Sequence, residues 1–240
     1  MADKYLFKFK GFECRHGNSS MRIGVDAVLL GAWAGDGTAR SILDVGTGCG
    51  VIALMMAQRN PLASIEAIDI DAASVAEATL NFRNSPWGRR LSAWQADFSK
   101  MAANNATYDL IVSNPPYFDS GVSMPSSRRE VARHQSVLSP ASIIGRGREM
   151  LTQCGRLAVV IPHDQADFIK ECATAHDLYL SRQLDIKGNG HAPVKRSLLE
   201  FSNAQPSVPD PDRRMLILET EPGHPTPEHH ALCRDFYLKW

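Results

Sequence analysis

Ser41-Ile42-Leu43-Asp44-Val45-Gly46-Thr47-Gly48-Cys49-Gly50, followed by the apolar run Val51 to Arg59 (VIALMMAQR), decides the reading of the fold. A short apolar, β-branched run followed by clustered glycines and then a helical pattern is the first strand, turn and helix of a doubly wound sheet. Asn60-Pro61 stops the helix. The pattern then repeats, with strands at 64–69, 91–95 and 108–113 and a helix at 72–84. A long loop from Asn114 to about Ser136 precedes a helix over 139–152, opened by Ser139-Pro140, since proline suits the first helical position. Strand 155–161 follows. Runs 178–187, 195–203 and 213–220 read as strands joined by short polar connections without a crossover helix, which implies an antiparallel edge. A terminal helix over 226–238 closes the chain, and the proline-rich stretch Gln205 to Asp212 reads as a surface loop.

Composition narrows the class. The chain has 240 residues, 44% apolar and 22% charged, which suits one α/β unit and excludes disordered, collagen-like and coiled-coil readings. We expect a single domain: an N-terminal extension over 1–40, a catalytic core over 41–203 and a C-terminal strand and helix over 204–240. The sequence holds no run of about 18 uncharged apolar residues, and the start interleaves lysines with aromatics, so neither membrane spanning nor secretion is expected. Five widely spaced cysteines without a CxxC pair argue against a disulfide framework or a structural zinc site, and suit a reducing cytoplasm. With 26 basic and 26 acidic residues, any nucleic-acid site must be local.

The glycines let backbone approach a ligand without Cβ obstruction. A dinucleotide fingerprint requires GxGxxG, and Val51 stands where its third glycine belongs. The spacing D-x-G-x-G-x-G instead resembles motif I of the class I methyltransferases, which implies S-adenosylmethionine (SAM) held by Asp44, Gly46, Thr47, Gly48 and Gly50. A second strand ends in Ile68-Asp69-Ile70-Asp71, which places Asp69 about 20 residues on, where an acid accepts ribose hydroxyls. Asp69 and Ile70 are assigned to the cofactor, and Asp71 to the N-cap of the next helix. Asp97 and Phe98 follow a third strand, and the resemblance places them toward the adenine.

Asn114-Pro115-Pro116-Tyr117 stands at the carboxyl end of the fourth strand, where open α/β sheets bind ligands. An amine conjugated to a purine ring or an amide is a poor nucleophile, and acceptors that draw its N–H bonds out of plane restore the lone pair. The Asn114 side-chain oxygen and the Pro115 carbonyl supply one acceptor each. Two prolines keep that carbonyl aimed, and Tyr117 offers a face on which a base stacks. No strong base is needed, because the proton leaves after a cationic amine has formed. All four residues are assigned to catalysis, with Asn114 also beside the cofactor. The tetrapeptide serves adenine N6, cytosine N4, guanine N2 and glutamine amides alike.

Seven segments narrow that choice: Arg22 to Ala34, Leu43 to Pro61, Asn81 to Trp87, Ser113 to Phe118, Ala132 to Gln135, Lys195 to Ser202 and Asp235 to Trp240. Nearly end to end, they resemble the bacterial tRNA1(Val) adenine-N6 methyltransferases. The resemblance implies a class I methyltransferase, Rossmann-like, with a mostly parallel seven-stranded α/β sheet, helices on both faces and an antiparallel C-terminal edge. It implies methyl transfer from SAM to the N6 amine of adenine 37 in the anticodon loop. The rivals are an rRNA base or a protein glutamine as acceptor, and a SAM-binding RNA-interaction module without catalysis. Methyltransferases of release factors carry a separate helical domain, and the roughly 40 residues ahead of the glycine loop leave no space for one. Local basic clusters fit the anticodon stem-loop: Arg15 and His16 beside Lys4, Lys8 and Lys10; Arg133 and His134 beside Arg128 and Arg129; Lys195 and Arg196. No metal ligand set is expected, and we expect a monomer, with a weak dimer as the alternative.

Overall fold

The computed structural model describes residues 4–19, 22–101, 107–116, 138–205 and 210–239. The chain opens with a hairpin, β1 (Leu6–Lys8) and β2 (Glu13–Arg15), and helix α1 (Val25–Trp33). The first alternating units are β3 (Ser41–Val45), α2 (Val51–Arg59), β4 (Ser64–Asp69), α3 (Ala72–Arg83), β5 (Leu91–Gln95) and β6 (Tyr108–Ser113). Beyond the long connection come α4 (Pro140–Met150), β7 (Leu151–Pro162), α5 (Ala166–Ala175), β8 (Tyr179–Lys187), β9 (Val194–Ser202) and β10 (Asp212–Ile217). A small hairpin, β11 (Glu219–Glu221) with β12 (His224–Pro225), and α6 (Pro227–Cys233) end the chain.

The main sheet has the order β10-β8-β9-β7-β6-β3-β4-β5, and every strand except β9 runs in one direction. Alternation along each strand divides the apolar residues between two cores. Ile42, Leu110, Val112, Ala158 and Val160 face α1, α2 and α3. Leu43, Val45, Ile111, Leu157, Val159 and Ile161 face α4 and α5. Burial on both faces is why these strands read as continuous apolar runs.

The α/β class holds, with corrections. There are eight strands in the sheet, not seven, because β10 adds beside β8 in parallel. The reversed strand is interior and not an edge: β9 lies between β7 and β8, and Leu198, Leu199, Glu200 and Phe201 are all buried. That four-residue run already had the composition of a strand covered on both faces. Helices α1 and α5 are unassigned in the sequence reading. Six consecutive residues of α1, Ala27 to Ala32, are buried, which erases the 3.6-residue stripe. By contrast, α5 has an ordinary inward stripe of Ala166, Ile169 and Ala173. The terminal helix stops at Cys233 rather than 238, because the chain turns to place Tyr237 on Phe9, ring centroids 6.2 Å apart, in an isolated bridge. Packing overrides helix propensity there.

Helix starts follow the sequence signals. Asp71 accepts from the backbone N–H of Ala73 and Ser74 at the start of α3, and Ser139 forms a reciprocal capping box with Ser142 ahead of Pro140.

One buried charge ties the reversed strand to α1. Glu200, 1% exposed, accepts from Arg182 Nε (3.0 Å) and Nη2 (2.6 Å) and from the Gly35 N–H (2.7 Å), while the Arg182 guanidinium lies 4.5 Å from the Trp33 ring centre. Removing the carboxylate leaves a partly buried cation and an orphaned N–H, so Glu200→Ala is expected to cost about 2 to 4 kcal/mol in urea unfolding.

Candidate active site

Register assembles the site. Val45 pairs with Ile68 on one side and with Ser113 on the other, so the glycine loop, Asp69 and Asn114 all leave the same sheet edge at one level. Ser113, fully buried, reinforces this by donating from Oγ to the Val45 carbonyl (2.7 Å). The Gly46 and Thr47 N–H groups both donate to the Ile68 carbonyl (2.9 Å each), which bends the loop over the end of β4.

Asp69 locks that bend. Its Oδ2 accepts from the Gly48 N–H (2.9 Å) and its Oδ1 from the Asp71 N–H (3.0 Å). A carboxylate has about four acceptor positions, so two remain for a diol. Gly46 (φ +71°) and Gly48 (φ +55°) lie in the left-handed region, and a Cβ at Gly48 would meet nothing within 4 Å. That open side is room for a ligand against bare backbone. Gly50 is also left-handed (φ +85°), but a Cβ there would fall 2.6 Å from the Phe82 ring, so close packing against α3 requires that glycine.

Asp44 is fully buried. Its Oδ2 accepts from Thr47 Oγ1 (2.6 Å) and the Ala53 N–H (3.2 Å), and Oδ1 has no partner among the described residues. Burial pushes its carboxyl up to about 7, the Thr47 and Ala53 hydrogen bonds oppose this, and the Asp69 charge adds to it. Thr47 is thus bound to Asp44 from within the loop.

The remaining assigned residues divide among several places. Ile70 is 56% exposed beside Asp69, an apolar face open to a ring. Asp97 caps a short 3-10 turn, accepting from Ser99 N–H (3.0 Å) and Oγ (2.6 Å) and pairing with Lys100 (3.1 Å), and Phe98 is buried in the core. Asn114 is half-buried, Pro115 buried and Pro116 exposed. Tyr117, Arg133 and His134 lie outside the described residues, as do Arg128 and Arg129. Lys195 is exposed, whereas Arg196 Nε donates to Asp26 Oδ2 (3.0 Å) and joins β9 to α1. Among the described residues, no group of three or more His, Cys, Asp or Glu could hold a metal ion. No helix there is long and apolar enough to cross a membrane.

Two residues of α3 organise the site although the sequence reading gives them no role. Asn81 donates from Nδ2 to the carbonyls of Cys49 and Arg15 (2.8 Å each) and accepts from the Arg15 N–H (2.9 Å), stapling the N-terminal segment to the glycine loop. Glu77 accepts from the N–H groups of Gly17 (2.9 Å), Asn18 (3.0 Å) and Ser19 (2.8 Å). Polar residues four apart on the buried side of an otherwise amphipathic helix were the available signal. Arg15 and His16 therefore ride on a segment fixed to the cofactor loop. Cys14 and Cys49 are free, 3.7 Å apart at sulfur, and their hydrogen bond together with burial pushes the Cys14 thiol up.

A glycine loop gripped by the next strand's carboxylate and an Asn-Pro-Pro exit from β6 leave one edge of an open, mostly parallel sheet, and this is the fold of the class I SAM-dependent methyltransferases. The methyltransferase small domain family matches residues 25–170. A tRNA1(Val) (adenine(37)-N6)-methyltransferase of Parabacteroides distasonis is 41% identical over 240 residues, 100% of both chains. One of Yersinia enterocolitica is 35% identical over 236 residues, 98% of this chain and 93% of its own. Among solved structures, a protein described as a predicted O-methyltransferase from Agrobacterium tumefaciens shares the fold with a TM-score of 0.69 at 18% identity, covering 88% of this chain and 96% of its own. The chain belongs to the tRNA1(Val) (adenine(37)-N6)-methyltransferase family, and SAM is its cofactor.

Asp44 makes the site sensitive to pH. Between its ordinary value of 3.8 and about 7, the folded chain holds a proton that the unfolded chain releases, so this group's contribution to stability falls as pH rises through that window and is level above it. Relative to Asp44→Asn, the wild type is expected to lose stability from pH 4 to 7 in chemical unfolding, with no further divergence above.

Proposed function

We propose that this chain transfers the methyl group of SAM to the N6 amine of adenine 37 in the anticodon loop of tRNA1(Val). The observation that carries this reading is the end-to-end similarity to relatives bearing that name, joined to an Asn114-Pro115-Pro116 exit one residue beyond a strand end bonded to the glycine loop. SAM supplies an electrophilic methyl on a sulfonium. Asp69 has acceptor positions left for the ribose, and the glycine loop lets the ligand lie against backbone.

The Asn114 side chain and the Pro115 carbonyl accept the two N–H bonds of the adenine amine, and this draws its lone pair away from the ring and toward the methyl. Pro115 is buried and held by its ring, so its carbonyl is fixed before substrate arrives. Tyr117 supplies the stacking face. An unpaired loop base leaves its stack at less cost than a duplex base, which suits position 37. The enzyme acts as a cytoplasmic monomer, with Arg15, His16, Arg133, His134 and Lys195 directed to the RNA, whereas Arg196 is engaged by Asp26.

Asn114→Ala removes one of two amine acceptors without touching the cofactor loops. Transfer to tRNA1(Val) is expected to fall about 100- to 1000-fold, with SAM affinity by calorimetry nearly unchanged. Near wild-type turnover would overturn the role given to Asn114, and methylation of rRNA or of a release-factor glutamine in place of tRNA would overturn the substrate.

A further inference from the structure

His163 stands at the end of β7, in the short 3-10 turn His163–Gln165 on the sheet edge that carries the active site. Its Nδ1 is 2.8 Å from Ser197 Oγ, and Ser197 Oγ donates to Asp185 Oδ1 (2.6 Å). Gln183 Nε2 donates to both oxygens of Asp185, at 2.9 and 3.1 Å. An ionised carboxylate can only accept, so the single Ser197 proton goes to Asp185 and the hydroxyl must accept from the ring. Nδ1 therefore carries a hydrogen, and the polar contacts of the imidazole among the described residues all use that nitrogen. Nε2 is the atom left to meet a ligand, on a side chain 41% exposed. Serine lies between the acid and the histidine, the reverse of a nucleophilic triad, so Ser197 is a spacer and not an attacking group.

Two lysines stand at the same sheet edge. Lys187 alternates with Asp185 on β8, and Lys195 is the extra residue of β9 where the register passes from Arg196, opposite Ile186, to Val194, opposite Lys187, so both lysines lie at the sheet edge that carries His163. Four carboxylates among the described residues lie on the elements around the ring. Asp185 lies beneath it, Nδ1 to Oδ1 3.5 Å, and Asp164 is its chain neighbour. Asp167 of α5 is paired with Lys170 at 2.6 Å, and Asp26 of α1 is paired with Arg196.

Val159 is the partner of Ser113. Asn114 therefore stands level with Val160, and His163, three residues on and just past the strand end, lies about 10 Å farther along at about 3.3 Å per residue, too far to touch an amine held at Asn114 and within the reach of a bent RNA loop. We propose that His163, oriented by Ser197 and Asp185, is a phosphate-binding residue for the RNA strand flanking the target base, with Lys195 and Lys187 beside it. This rests on the tRNA reading above. With Nδ1–H given to Ser197, Nε2 can donate to a phosphate only when the ring carries its second proton, so the contact weakens as that proton is lost with rising pH.

The test is steady-state methylation of tRNA1(Val) at saturating SAM from pH 5.5 to 8, with wild type, His163→Gln, His163→Lys and Ser197→Ala. For the wild type, KM for tRNA is expected to rise with pH while kcat stays level. His163→Gln should raise KM about 3- to 10-fold at low pH and flatten that rise, the size of one partly exposed charge-assisted contact. His163→Lys should restore a low KM without the pH dependence, which a structural role would not do. Ser197→Ala should fall between wild type and His163→Gln. SAM affinity, measured by calorimetry, should be unchanged in all four proteins. If KM and its pH dependence are the same in His163→Gln as in the wild type, or if lysine fails to restore KM, this proposal is overturned alone. If the wild type transfers no methyl to tRNA, the substrate reading fails, and this proposal with it.

Discussion

The carboxylate of Asp69 is the constraint on which the rest of the site depends. It sits at the end of β4 and accepts from Gly48 in the preceding loop and from Asp71 in its own turn. One acid thereby fixes two crossover connections against each other. A loop of glycines is otherwise the most costly backbone to order, since each loses more conformational freedom than any other residue. Two charge-assisted hydrogen bonds, with two more from Gly46 and Thr47 to Ile68, offset that cost before any ligand arrives.

The same logic extends outward through α3. Its N-cap is Asp71, its buried side presents Glu77 and Asn81, and these bind the backbone of the N-terminal segment. Asn81 reaches the glycine loop as well, through Cys49. The glycine loop, the helix behind it and the segment bearing Arg15 and His16 are therefore one hydrogen-bonded unit. On the far side of the sheet centre, β9 contributes in a different way. Glu200 anchors it to Arg182 and Gly35 below, and Ser197 presents the polar edge above.

Much of this was legible in the residues. Strands 41–45, 64–69, 91–95 and 108–113 carry their own boundaries, because glycine, proline and aspartate sit where each turn requires them. Asp71 and Ser139-Pro140 marked helix starts by local capping, which needs no tertiary information. What escaped depends on long-range packing. The interior place of β9 follows from a hairpin folding back between β7 and β8, and the strand's own residues do not name its neighbours. The early end of α6 follows from Tyr237 meeting Phe9, far away in the chain. Asn81, Glu77, His163 and Asp185 are single polar residues whose partners lie in other elements, so neither spacing nor motif reveals them. Arg196 shows the converse: a basic residue in a cluster spends its charge on Asp26.

The central claim is that this edge delivers a methyl group to one exocyclic amine in one RNA. Nucleoside mass spectrometry of unmodified tRNA1(Val), incubated with the protein and SAM and mapped by nuclease digestion, tests it most directly. The expected product is N6-methyladenosine at position 37, none at other adenines, and none when position 37 is guanine. Methylation elsewhere in the tRNA, or an unmethylated tRNA alongside methylated rRNA or release factor, would contradict it.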